Sequence, residues 1–228
     1  MIMNYKNYVV VIPARKNSKR IKGKNLRKLN GKPLIFHSIE YALKIFNKKN
    51  IWVNTDDDLI IDLAKKYGVS TYKRSSKLAE DETSTNDVVL DFSEYLISRG
   101  IIFERIITLQ PTNPIRSSEL INSAIKAFED SKRKSLMSVS LLHKKFGKIK
   151  NKTYKPINYQ IGQRHQDLEN LYYENGLIYI SSKESLLEDK EYITEDVFPF
   201  ITEEIGSIVD IDYEEDLKLA ELIMRKYS

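Results

Sequence analysis

Between Arg15 and Lys32 the chain carries nine lysines and arginines and no acid. Within that run, Pro13-Ala14-Arg15-Lys16-Asn17-Ser18-Lys19-Arg20-Ile21-Lys22-Gly23-Lys24-Asn25 joins the cations to a hydroxyl, amides and small residues. Backbone N–H groups and Ser18 can donate to phosphate oxygens, and Arg15 and Lys24 can offset charge that builds on a reacting phosphorus. The segment is not a Walker loop, because Gly-x4-Gly-Lys-[Ser/Thr] is missing and Gly23 stands alone. A solvated basic loop or a nucleic-acid patch accounts for the same composition. A nucleic-acid patch, however, interleaves stacking aromatics with its cations, and residues 15–32 contain none. Near the other end stands Asp210-Ile211-Asp212. On a strand, residues two apart face one side, so both carboxylates can seat a Mg²⁺ shared with substrate phosphates. The alternative is that one carboxylate caps the helix that Tyr213-Glu214-Glu215 begins.

Two further segments carry polar groups. Gln110-Pro111-Thr112-Asn113-Pro114 offers amides and a hydroxyl on a rigid loop, suited to reading a base or sugar edge, although a plain strand-to-helix turn explains it as well. Asn175-Gly176, between Tyr172-Tyr173 and Leu177-Ile178-Tyr179-Ile180, reads as a hairpin turn or as a close backbone approach to a ligand.

The elements that must position these groups follow from the apolar pattern. Residues 8–12 are a nearly continuous Val/Ile strand that suits a sheet buried on both faces. A helix over 34–46 follows Pro33. Next come a strand at 51–53, a helix over 58–66 capped by Asp58, and a strand at 70–73. The pattern then predicts a helix over 84–98, a strand at 106–109, a helix capped by Ser117 or Ser118 with Glu119 in its first turn, and a strand at 136–140. This strand–helix rhythm predicts a mostly parallel α/β sheet with ligands beyond the carboxyl ends of its strands. The rhythm breaks at about 142–171, a polar stretch that reads as a hairpin excursion. A strand at 207–211 and a closing helix over 214–226 complete the chain.

Composition narrows the function classes. At 228 residues with 41% hydrophobic and 30% charged residues, the chain is expected to form one folded domain over 1–228 rather than a disordered tail. Cysteine is absent, which excludes disulfides, a thiolate nucleophile and Cys-ligated metals, and three scattered histidines argue against a zinc site. No stretch of 18 apolar residues exists, and the polar start at 1–8 shows no secretory pattern, so a cytoplasmic location is expected. The net charge of +5, concentrated in the basic segment, points to an anionic partner.

Together these pieces resemble the CMP-sialic acid synthetases (N-acylneuraminate cytidylyltransferases). The resemblance runs through Pro13-Ala14-Arg15-x-x-Ser18-Lys19-Arg20 with Lys24-Asn25, Asn54-Thr55-Asp56-Asp57, and Arg74 with Leu78-Ala79-x-Asp81. It continues through Leu109-Gln110-Pro111-Thr112-x-Pro114-x-Arg116, Gln163-Arg164-x-Gln166-Asp167-Leu168, Tyr173-x-Asn175-Gly176-x-Ile178-Tyr179-Ile180 and Asp210-Ile211-Asp212. It implies a Rossmann-like nucleotidyltransferase sheet with helices on both faces, a homodimer, and a dimerisation excursion at about 140–172 that reaches the partner's active site. The implied reaction is attack by the anomeric hydroxyl of a sialic-acid-like nonulosonate on the α-phosphate of CTP, with Mg²⁺, giving CMP-sugar and pyrophosphate.

On that pattern Arg15, Ser18, Lys24 and Asn25 hold the triphosphate, with Lys24 the main cation at phosphorus. Arg74 and Ser84 serve the cytidine pocket, and Asp210 and Asp212 bind Mg²⁺. Gln110, Tyr179 and Arg164 serve the sugar, Arg164 through a bidentate contact to its carboxylate across the dimer interface. The departures lie mostly on the sugar side. Asn17 and Arg20 stand where many members have glycine. Leu142-His143-Lys144-Lys145-Phe146-Gly147-Lys148 lacks a His-Pro pair, leaving Lys145 or Lys148 as the sugar-acid lysine. Glu169 stands where a proline often follows the leucine of Asp167-Leu168. Relatives that activate legionaminate, pseudaminate or Kdo share the Arg15 loop. A catalytically dead sugar-nucleotide binder would have lost the metal or phosphate residues that are present here.

Overall fold

The computed structural model describes residues 5 and 7–226, so the extreme ends of the expected 1–228 domain, and part of the polar start at 1–8, lie outside the described residues. The elements in chain order are β1 Tyr8–Pro13, β2 Lys28–Leu29, β3 Lys32–Pro33, α1 Leu34–Leu43, β4 Ile51–Thr55, α2 Asp58–Lys66, β5 Ser70–Lys73 and α3 Thr85–Ser98. They continue as β6 Arg105–Thr108, α4 Leu120–Ser131, β7 Ser135–Leu141, β8 Gly147–Lys150, β9 Thr153–Pro156, β10 Tyr172–Ser182, β11 Phe198–Ile201 and α5 Glu214–Lys226.

Seven strands form one sheet in the order β11-β7-β10-β6-β1-β4-β5. β1 pairs in parallel with both β4 and β6, β4 with β5, and β11 with β7, whereas β10 runs antiparallel to β6 and β7. The chain leaves β1 toward β4 and β5 and returns to β6 on the other side. Connections therefore diverge at β1, and a crevice opens beyond the carboxyl ends of β1 and β6. The 13–25 and 109–116 segments flank it.

Alternation along β1 assigns the layers. Tyr8, Val10 and Ile12 pack with Ile35 and Ile39 of α1, Ile60 of α2 and Ile121 of α4. Val9 and Val11 pack on the other face with Val89, Phe92 and Leu96 of α3. Each such side chain, fully buried, contributes about 1.5–3 kcal/mol. A third cluster joins Leu217, Ala220 and Ile223 of α5 to Ile21 of the first loop, to Leu29 of β2 and to Val209 and Ile211. It ties the two ends of the chain together beside the crevice.

Several local expectations are corrected. Residues 207–211 form no strand; Ile205–Ile208 is a 3-10 turn, and the last sheet strand is β11. Asn175-Gly176 is no hairpin turn. It lies inside β10, where pairing with β7 shifts register between Glu174 and Tyr179. Asp57, not Asp58, caps α2 by accepting from Leu59 N at 2.9 Å. Neither Ser117 nor Ser118 caps α4, and Ser117 N instead donates to Glu204 at 2.9 Å. α1 ends at Leu43, short of 46. Within 142–171, β8 and β9 form an antiparallel hairpin.

Candidate active site

The α5 cluster brings the basic loop onto Asp210-Ile211-Asp212. Lys24 Nζ donates to Ile211 O at 2.6 Å and to Asp212 Oδ1 at 3.0 Å, with its side chain only 12% exposed. Arg20 also pairs with Asp212 and lies 5.2 Å over the Tyr213 ring. Asp212 does not cap α5, because Asp216 accepts from Asp212 N and Tyr213 N. Burial pushes the Asp212 carboxyl up, but hydrogen bonds and charge from Lys24 and Arg20 outweigh it and hold the group below the usual carboxylate range. Asp210 behaves oppositely. The protein packed around its carboxyl and the Asp212 charge push it up, against a hydrogen bond from Thr112 and the Lys24 charge.

The start of the loop is fixed from another side. Asn25 is buried and donates to Arg15 O at 3.0 Å, and Lys16 N donates to Asp56 at 2.8 Å. Arg15 pairs with Asp81 at 2.8 Å and Lys19 with the same carboxylate at 3.3 Å. Beneath these groups lies an open cavity of about 430 Å³, lined by Arg15, Ser18, Lys24, Asn25, Arg74 and Ser84 among others. Arg74 is buried in its wall. One guanidinium N–H reaches Leu78 O at 3.4 Å, while Nε has no partner. Burial pulls its pKa down, against the charge of Asp56. Ser84 lines the cavity, but its hydroxyl accepts from Asp87 N at 3.1 Å in a capping box that starts α3.

A second cavity of about 640 Å³ adjoins the first. Gln110 borders both, and the 210–212 segment straddles them, with Asp212 on the first and Asp210 on the second. Tyr179 lines the second cavity, almost fully buried, and its hydroxyl donates to Glu174. His143 and Lys144 also line it. Lys145 turns away to Gln163 O and lies over the Tyr159 ring, and Lys148 lies exposed on β8. Neither expected lysine therefore lines this cavity, whereas Lys144 does. Arg164 lines neither cavity. It sits exposed beside the hairpin, paired with Asp167 at 2.8 Å.

Sequence reasoning offered Asn113 as an amide to read a base or sugar edge, whereas the structure turns it onto protein backbone, and it left Arg116 and Asp81 without a role. Asn113 is buried and donates to Asn175 O at 3.0 Å and Val209 O at 2.9 Å, linking the β6 loop, β10 and the Asp210 segment. Its side chain fills the space over Gly176, where a Cβ would lie 2.5 Å from Asn113 Oδ1 at φ +75°. The close backbone approach at Gly176 is thus to a protein amide. Arg116 donates to Gln110 O and Leu177 O, each at 2.8 Å, and to Ser38 at 3.1 Å, fixing the backbone of Gln110. Burial pulls its guanidinium down to about 10. Asp81, paired with Arg15 and Lys19, is the other. Position in the quoted motifs was the available signal, since polarity alone does not separate buried amides from loop amides.

Among the described residues, no group of three or more His, Cys, Asp or Glu side chains comes together as a metal site. The 210–212 segment is no strand and its two carboxylates border different cavities, so the shared-face expectation fails, but the chemistry of Asp210 and Asp212 suits a hard divalent cation. They offer oxygen donors only, and one or two carboxylates suffice where phosphates and waters complete the shell. Among the described residues Asp210 makes no ion pair, whereas Asp212 pairs with Lys24 and Arg20.

Comparison with known proteins places this geometry in context. A family model described as cytidylyltransferase matches residues 9–227. The chain is 33% identical over 216 residues to an N-acylneuraminate cytidylyltransferase of Streptococcus agalactiae serotype III (strain NEM316), covering 91% of this chain and 51% of that protein. It thus spans about half the length of that relative. It is 34% identical over 222 residues to a CMP-N,N'-diacetyllegionaminic acid synthase of Legionella pneumophila, covering 95% of each. The fold also matches a solved CMP:2-keto-3-deoxy-manno-octonic acid synthetase complexed with CTP, at TM-score 0.69 and 17% identity over 97% of this chain and 99% of that one.

Proposed function

The chain belongs to the cytidylyltransferase family, among the CMP-sialic acid synthetases, and from that premise we propose that it transfers CMP from CTP to the anomeric hydroxyl of a sialic-acid-like nonulosonate. The observation that carries this reading is the pair of joined cavities, one lined by loop cations and one by Lys144, Glu174, Tyr179 and Asp210 among others, with Gln110 and the 210–212 segment at their junction. The sugar hydroxyl oxygen attacks the α-phosphorus and gives up its proton to water, the P–O bond to pyrophosphate breaks, and CMP-sugar and pyrophosphate result. Positioning and charge stabilisation supply the catalysis in such a transfer.

Lys24 and Arg15 offset charge on the phosphates, and Ser18 and Asn25 shape the loop around them. Arg74 and the start of α3 at Ser84 border the nucleoside end. Gln110 and Tyr179 border the sugar. Asp210 and Asp212 would hold Mg²⁺, which supplies charge neutralisation and alignment of the phosphates when bound. The hairpin excursion supports a homodimer that completes each sugar site. It carries exposed Ile149, Ile157 and Ile161 and presents Arg164 away from its own cavities. Legionaminate is an equal candidate for the sugar, supported by the relative matched over 95% of its length; pseudaminate and Kdo remain within the same chemistry.

The test is a pyrophosphate-release assay that crosses the four nucleoside triphosphates with N-acetylneuraminate, legionaminate, pseudaminate and Kdo, with and without Mg²⁺. Release with CTP and one nonulosonate, dependent on Mg²⁺, is expected. Release with another triphosphate but not CTP, or with no sugar acid, refutes the reading.

A further inference from the structure

The second cavity contains a carboxylate that nucleotidyl transfer does not require. Glu174 lines it, held by the hydroxyl of the almost fully buried Tyr179. Tyr179 is itself held against Tyr192, with ring centroids 5.4 Å apart. The register shift between Glu174 and Tyr179 interrupts the β7 ladder there, and Gly176 with its positive φ lies within the shifted segment. Glu174 is therefore aimed by its surroundings. One phenol hydroxyl satisfies one of about four lone-pair positions of a carboxylate, and the others are open to what enters the cavity.

Charges of both signs line this cavity. Lys144 comes from the segment after β7. The carboxylates Glu174 and Asp210 both act on the Tyr179 phenol, which burial and then Glu174 push above its ordinary range. A sugar acid entering such a cavity is oriented by its own charge. Its carboxylate is drawn toward Lys144 and repelled from Glu174, which leaves Glu174 facing the part of the sugar that carries donors.

We propose that Glu174, held by the Tyr179 hydroxyl, is a specificity-determining residue that accepts a hydrogen bond from a donor substituent of the sugar acid, an amide N–H or a hydroxyl. This rests on the reading of the second cavity as the sugar site. Glu174 is itself exposed, so its open positions are hydrated until a substituent displaces the water. An N–H or O–H replaces that water as donor, whereas a group that only accepts leaves the carboxylate facing no donor, and that difference sets the preference.

The experiment compares the full chain with Glu174→Gln and Glu174→Ala by two readouts: steady-state pyrophosphate release, and calorimetric binding of the sugar acid. The probes are N-acetylneuraminate, N,N'-diacetyllegionaminate and the nine-carbon acid that has a hydroxyl in place of the acylamino group. Both variants are expected to raise the KM and Kd of the sugar acid roughly tenfold or more, the worth of a hydrogen bond to a charged group. The KM for CTP is expected to stay within about twofold, and the melting temperature to hold. Loss confined to the acylamino acids identifies an amide donor, and equal loss for all three identifies a hydroxyl. An unchanged sugar KM and Kd, or a CTP KM that rises as much as the sugar KM, overturns the proposal. If the unaltered chain binds a sugar acid but turns none over, the cytidylyl-transfer reading fails while the binding contrast still decides the role of Glu174. If it binds none of the three but releases pyrophosphate with pseudaminate or Kdo, the proposal for Glu174 fails while the cytidylyl-transfer reading stands; if it does neither, both fail.

Discussion

Replacing Lys24 by alanine separates catalytic charge from structural charge at one residue. Its ammonium reaches Ile211 O at 2.6 Å and Asp212 at 3.0 Å from a side chain that is 12% exposed. Breaking a buried ion pair costs about 3–5 kcal/mol when the surviving charge is orphaned. Here Asp212 keeps Arg20 and is about one third open to solvent, so the loss reduces to about 1–2 kcal/mol. For a chain of this size that is a fall of about 2–8 °C in melting temperature. The catalytic loss is larger, since removing one group that stabilises developing charge costs about 10²–10³ in kcat.

The assay is pyrophosphate release with saturating CTP, paired with thermal melts between pH 3 and 8. The pH series adds a sign. Asp212 is held below its ordinary range, so its pairing stabilises the fold above the unfolded carboxyl pKa of about 3.9 and is lost as pH falls through the lower folded value. The melting gap between Lys24→Ala and the unaltered chain therefore narrows below about pH 4. A kcat within threefold of the original, or a loss of activity no larger than unfolding at the assay temperature explains, would refute the charge-stabilisation argument.

Three other outcomes are expected. Asp210→Asn abolishes Mg²⁺-dependent activity yet raises the melting temperature at pH 7, because a carboxyl whose folded pKa is raised destabilises the fold once ionised; calorimetry showing a lower melting temperature would contradict that electrostatic account. Gly176→Ala forces a Cβ to 2.5 Å from Asn113 at positive φ, so urea titration should show a loss of about 1–3 kcal/mol and a displaced 210–212 segment should lower activity. Arg164→Ala weakens use of the sugar acid while the CTP KM holds, and mixed dimers with a Lys24→Ala chain regain activity only if Arg164 acts across the interface; equal weakening of both substrates would place Arg164 elsewhere.

The central sheet was legible because its signals are local. The Val/Ile run of β1 and the apolar spacing of α1 and α3 each depend on a few neighbouring residues. The meeting of Lys24 with Asp212, 188 positions apart, was legible only through motif order and the rule that ligands sit beyond strand carboxyl ends. What escaped depends on partners distant in sequence. Asn175-Gly176 carries the composition of a hairpin, but Ser138 and Ser140 of β7 bind the Asn175 side chain and Asn113 covers Gly176, so the pair lies inside a long strand. The Ile208-Val209 run looked like a strand because both are β-formers. Val209 and Ile211 are buried, but against α5 and the first loop rather than in a ladder. The role of Arg116 is invisible locally, since its acceptors come from three separate elements.

Four of the six cations of the 13–25 loop pair with two aspartates: Asp81 holds Arg15 and Lys19, and Asp212 holds Lys24 and Arg20. Occupation by a triphosphate is therefore an exchange of anions rather than the filling of a bare positive hollow. The displaced aspartates offset part of the attraction, so affinity should respond less steeply to ionic strength than four cations alone would suggest. An incoming polyanion that matches the shape of the loop poorly would then displace the internal counter-ions without replacing them, which favours fit over charge as the ground of selection.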